Sequence, residues 1–166
     1  MEFFSWLGCV LASDTFRGLV LISGVVVAIV SVWSARIVAR KKQAADMMFV
    51  SRNDNAFDEG LACISRLHNA TDANIRALAA KDNKDKDDSK SIRYVLNHLE
   101  ALSVGVQAGI YDEKMLKAAM FGTIVQTHKY ASPYIDKARE ETGRNTLYQE
   151  VRWLAERWEK KPLKPR

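Results

Sequence analysis

The rhythm of apolar positions changes once along this chain. From Gly18 to Ala35 apolar residues are nearly continuous: GLVLISGVVVAIVSVWSA carries no charge over 18 residues and is bounded by Arg17 and Arg36. A helix of that length spans about 27 Å, close to the hydrocarbon thickness of a bilayer. A core helix of a soluble protein would show a polar face, and this stretch has none. It predicts a transmembrane helix. A cleavable signal peptide would carry its basic cluster before the apolar stretch, whereas here the cluster follows it, so an uncleaved anchor is expected.

Beyond Ala35 the rhythm becomes helical and amphipathic. No Gly or Pro interrupts SARIVARKKQAADMMFVSR, so the helix is expected to fill residues 15–52, with Ile37, Ala44, Met47, Met48 and Val50 available for packing. Asn53-Asp54-Asn55 is a polar break with capping potential. Phe57, Leu61, Ile64 and Leu67 then recur at helical spacing, with a restart expected at Thr71 or Asp72 and an apolar face continuing through Ile75 and Leu78. Residues 81–91, KDNKDKDDSKS, hold no apolar side chain and predict a solvated loop. Ser89 or Ser91 is expected to cap a strong helix carrying Ile92, Val95, Leu96, Leu99, Leu102 and Val106, with Gly109 as its stop. Asp112 reads as the cap of the next helix, with Leu116, Met120 and Ile124. Ser132-Pro133 predicts a fresh start, a short helix to Gly143 follows, and Asn145 is expected to cap a last helix bearing Leu147, Val151, Leu154 and Trp158. No strand-like alternation or internal repeat is present. The expected fold is all-α: one N-terminal transmembrane helix continuing into a cytoplasmic bundle of about five helices. The corresponding divisions are an interfacial segment 1–14 with Phe3, Phe4 and Trp6, the helix 15–52, a helical domain 53–160, and a basic tail 161–166.

Charge sets the expected orientation. One basic residue, Arg17, precedes the span, while Arg36, Arg40, Lys41 and Lys42 follow it. The positive-inside rule places the amino terminus outside and the C-terminal domain in the cytoplasm of a bacterial inner membrane. The net charge of +5 has a second concentration in residues 113–166, with 12 basic and 7 acidic side chains. A solvated tail is its plainer reading. No aromatic residues are interleaved with the charges of the tail, EKKPLKPR, as a single-strand nucleic-acid surface needs, and no nucleic-acid partner is expected.

Candidate chemistry is sparse. There is no phosphate-cradling glycine loop, nucleophile elbow or HExxH. Cys9 and Cys63 fall on opposite sides of the span, so no disulfide is expected, and Cys63 reads as a small core residue. His68, His98 and His128 lie on separate predicted helices. The aspartates of residues 81–91 lack the central Gly and terminal Glu of a calcium loop. No metal or other cofactor is implied, and no small-molecule substrate is identified. Asn97 and Glu100 share a helix face beside an apolar stripe, and Arg152 or Arg157 is the expected partner of Glu100 in an inter-helix polar clamp or ligand contact. Trp158 is placed on the core face of the last helix and Trp153 near its edge. Gly24, Ala28, Ser31 and Ala35 form one stripe of small residues, the kind that lets membrane helices associate.

The runs LNHLEALSVGVQAGIYDEKMLKAAM and NTLYQEVRWLAERW carry a resemblance. Through Asn97 and Glu100, through Gly109 with Asp112 and Glu113, and through Leu154-Ala155-Glu156-Arg157-Trp158, the chain resembles a widespread bacterial family catalogued only as a domain of unknown function. The resemblance extends over about residues 20 to 158. Many relatives carry a tryptophan where this chain has His128 or Tyr130. The resemblance implies a single span with a helical domain and a bacterial or prophage source, and it supplies no activity. The expected role is a non-enzymatic, membrane-anchored module that binds a protein partner or self-associates. The alternative is a phage-defence or superinfection-exclusion effector acting through oligomerisation of its span.

Overall fold

The computed structural model describes residues 14–70 and 74–164, so the interfacial segment 1–14 and the restart at Thr71 or Asp72 lie essentially outside the described residues. The described chain is all-helical, with five α-helices: α1 Asp14–Arg52, α2 Asn55–Asn69, α3 Asp87–Gln107, α4 Glu113–Thr142 and α5 Gln149–Glu159. Two 3-10 turns, Ile75–Ala79 and Lys81–Asn83, connect α2 to α3. The chain divides into two units, residues 1–39 and 40–166.

In the first unit, α1 is apolar around its whole circumference and its side chains are exposed. Leu21 is 71% exposed and Ile29 63%. The helix is long and apolar enough to cross a membrane, with a mean hydropathy of 2.3 over its most apolar window and none of that window buried.

In the second unit the hydrophobic core is drawn from every helix. Leu96, Leu99, Leu102, Leu116, Ile124, Leu154 and Trp158 are completely buried. Ala44 and Ser51 bury one side of the end of α1, while Phe49 and Val50 remain exposed, so Val50 does not pack as expected. The central pair is α2 on α3, brought close by Gly60: a Cβ there would lie 2.9 Å from the Ser91 carbonyl oxygen and collide with a Val95 methyl.

Several helix ends are written locally. The Asp54 carboxylate accepts the Phe57 amide at 3.0 Å, and Asp112 accepts that of Met115 at 2.9 Å. At the end of α3, Gly109 adopts φ +69° while its amide bonds to Val106 and that of Ile110 to Gly105, a Schellman closure.

Three expected boundaries are corrected. Pro133 lies inside α4 rather than opening a new helix. Thr127, Ala131, Tyr134, Ile135 and Ala138 are buried on both sides of it, and burying this stripe, at about 1.5–3 kcal/mol per large side chain, outweighs the roughly 3 kcal/mol an internal proline costs. Neither Ser89 nor Ser91 caps α3, which begins at Asp87 with Asp87 and Asp88 facing the positive end of its dipole. Ser89 is fully buried and donates to the Leu78 carbonyl at 3.0 Å, so the solvated loop expected over residues 81–91 is helical from Asp87. Asn145 does not cap the last helix. Tyr148, in the left-handed region at φ 56°, leads into α5 at Gln149.

Gly60→Ala is expected to lower unfolding free energy by about 1–3 kcal/mol, measured by urea denaturation, because the added methyl must separate α2 from α3. A neutral result, or the gain of up to about 1 kcal/mol that alanine brings to an open helix position, would show that the two helices are not held at this distance.

Candidate functional site

The polar residues singled out by spacing are only partly brought together. Glu100, half-buried on α3, does not meet an arginine side chain. Its oxygens accept the backbone amides of Val151 at 2.8 Å and Glu150 at 3.3 Å, two of the unpaired donors at the start of α5. Burial pushes its carboxyl above the ordinary glutamate value, opposed by these two amides and by the Arg139 charge. The expected clamp to Arg152 or Arg157 is therefore corrected: a carboxylate sunk beside the core is met by buried amides, while the guanidinium groups stay at the surface. Arg152 pairs with Glu156 one turn away at 2.7 Å. Asn97 is exposed.

Arg157 forms a clamp of its own. Its guanidinium donates to both oxygens of Glu113, at 2.9 and 3.1 Å, and the indole N–H of the buried Trp158 donates to the same carboxylate at 3.1 Å. Arg157 also lies 5.4 Å from the centre of the partly buried Trp153 ring. These bonds hold the Glu113 carboxyl below the ordinary glutamate value despite some burial. Sequence reasoning missed Glu113 as a partner. Its available signal was position: a carboxylate directly after the Asp112 cap, at the end of α4 that the α5 terminus reaches.

The reactive side chains are individually engaged. His98 Nε2 is 2.9 Å from Ser51 Oγ and its ring packs at 4.5 Å on Phe57, and burial lowers its pKa. His68 stacks on Tyr130 at 3.8 Å, and burial depresses His128. Cys63 is buried and its thiol donates to Asp88 at 3.3 Å. Burial and that carboxylate raise its pKa, so the thiol stays protonated. Among the described residues no three His, Cys, Asp or Glu side chains come together as a metal set.

One candidate surface was not foreseen. A cavity of about 510 Å³ opens between the end of α1, α4 and the tail. Met48, Phe49, Met115 and Leu163 give it apolar walls, and Arg52 and Lys164 stand at its edge. A second cavity of about 350 Å³ is lined by Lys117, Arg157, Lys160 and Lys161 together with the carboxylates of Glu113 and Glu156, basic side chains outnumbering acidic ones. The residues that signalled topology and association lie elsewhere on α1. Arg36, Lys41 and Lys42 are exposed, and Arg40 donates to the Tyr111 carbonyl at 3.2 Å. Gly24, Ala28, Ser31 and Ala35 are all exposed.

A family described as "Domain of unknown function (DUF4760)" matches residues 18–158, and the chain belongs to that family. No curated protein and no solved structure matches it.

Two outcomes test these attachments of α5. Glu100→Ala leaves the Glu150 and Val151 amides unanswered and is expected to cost about 1–3 kcal/mol in urea denaturation. Glu113→Gln is expected to cost about 1 kcal/mol near neutral pH. A depressed carboxyl contributes its stability above the ordinary value of 4.5 and loses it as pH falls through its lower folded value, so the difference from the unaltered chain should vanish in acid.

Proposed function

We propose that this DUF4760-family chain is a non-enzymatic interaction module anchored by one span in a bacterial inner membrane, amino terminus outside and helical domain in the cytoplasm. The observation that carries the reading is the exposed apolar surface of α1. Leu19, Leu21, Ile22, Val25, Ile29 and Val30 are each more than half exposed. In water each such side chain forgoes about 1.5–3 kcal/mol of burial, and hydrocarbon removes that cost. A helix serving as a soluble core would be covered by its own chain; this one has no covered window. Arg36, Arg40, Lys41 and Lys42, against the single Arg17, favour the inward orientation.

The basic-edged groove supports a protein partner. Methionine adapts to varied apolar shapes, and a trough of Met48, Met115, Phe49 and Leu163 matches the apolar face of an amphipathic helix. Arg52 and Lys164, with Lys117, Lys160 and Lys161 nearby, select one whose flanks are acidic.

A fluorescent-protein fusion at Arg166 is expected to fluoresce, and an alkaline phosphatase fusion there to be inactive; the reverse pair would reverse the orientation. A photoreactive residue replacing Leu163 should cross-link in cells to a protein bearing an acidic amphipathic helix, and Met115→Glu should abolish the product. Cross-links to lipid alone, or a product unchanged by Met115→Glu, would remove the groove from the proposal.

A further inference from the structure

A separate cavity of about 360 Å³ lies between the 3-10 turns, α3, α4 and the entry to α5. Its size falls within the range of about 300–1,000 Å³ in which small-molecule sites occur. Leu147, Ala138 and the rings of Tyr134 and Tyr148 supply apolar lining, and Ser89 and Arg93 a polar part. Three independent features distinguish it from a packing fault.

The first is Tyr148. It is the one non-glycine residue with positive φ among the described residues, a sparsely populated conformation that places a bulky ring against this space. The residue is only 6% exposed; its hydroxyl keeps contact with solvent and forms no hydrogen bond with any described residue. Burial pushes the phenol up to about 12, so it remains a neutral donor.

The second is unmatched positive charge. Arg93 Nη1 donates to the Lys84 carbonyl at 2.8 Å and to Ser89 Oγ at 2.9 Å. Among the described residues Arg93, Lys81 and Lys84 have no carboxylate within ion-pair distance. The one acidic residue in the lining, Glu141, is paired with Lys137 at 2.7 Å and also feels the Lys81 charge, which leaves Arg93 and Lys84 as the cations it does not offset.

The third is that the polar part is built. Ser89, fully buried, donates to the Leu78 carbonyl, accepts from Arg93, and lies 3.4 Å from the Tyr134 hydroxyl. A guanidinium held by two neutral acceptors keeps its full charge available.

We propose that this cavity binds a small amphipathic anion, its apolar body among Leu147, Ala138 and the two tyrosine rings and its carboxylate or phosphate on Arg93 and the Tyr148 hydroxyl, with Lys81 and Lys84 drawing it in. The ligand class follows from the lining: apolar surface selects the body, and unpaired cations with a vacant donor select the head.

The test uses the full chain in nanodiscs, with phenyl phosphate and benzoate as probes and phenol and inorganic phosphate as controls, followed by isothermal titration. Both probes should bind about tenfold or more tightly than either control, because each control lacks one half of the recognition. Arg93→Met should weaken phenyl phosphate by about tenfold or more and leave phenol unchanged. Tyr148→Phe, which keeps ring and fold, should weaken both anions by about threefold. Melting temperatures of both variants are read alongside to confirm folding. Probes binding no better than inorganic phosphate, or affinities unmoved by both folded variants, would overturn the proposal. Equal binding of phenol and phenyl phosphate would reduce the site to an apolar void.

Discussion

A run of 18 uncharged residues cannot be left in water without a large hydrophobic penalty, and none of its most apolar window is buried. That constraint organises the protein. It makes the part of α1 in the first unit one kind of object, a helix whose outward face is its apolar face, and the second unit another, a helical domain with its apolar faces turned inward. One helix, α1, belongs to both: uniform hydrophobicity up to Ala35 gives way to charge at Arg36 and then to a one-sided pattern in which Ala44 and Ser51 are buried and Phe49 is not.

Within the second unit, α5 is the element whose placement depends most on polar chemistry. It has only 11 residues, too short to be stable as an isolated helix. Core burial of Val151, Leu154, Ala155 and Trp158 supplies most of its stability, and two carboxylates from other helices fix its register. Glu100 meets its first amides; Glu113 meets Arg157 and Trp158 near its end. The same arrangement sets Tyr148 in its left-handed conformation beside the cavity that holds Ser89 and Arg93. The basic-edged groove between α1, α4 and the tail is a distinct surface, lined by different residues.

Much of the fold was legible because its causes are local. The apolar run, the caps at Asp54 and Asp112 and the stop at Gly109 each depend on residues a few positions apart, and each is found where spacing placed it. The misplaced features depend on contacts made only after folding. Ser89 and Pro133 have the local chemistry of helix starts, but tertiary burial uses one as an internal hydrogen-bond hub and carries the helix through the other. Glu100 was recognised as a half-buried carboxylate needing a partner. The partner is backbone amide, and since every residue carries one, composition gives no signal for it. The groove was invisible for a similar reason: Met48 and Met115 are 67 positions apart and come to line one cavity only in the folded chain.

The central claim is that α1 is solvated by lipid. Alkaline carbonate extraction of membranes from cells making the full chain tests it most directly. The account predicts that the unaltered chain stays with the membrane pellet, and that replacing Val26 and Val27 by lysine releases it, because two charges at mid-span cannot be accommodated in hydrocarbon. Release of the unaltered chain into the supernatant would contradict it.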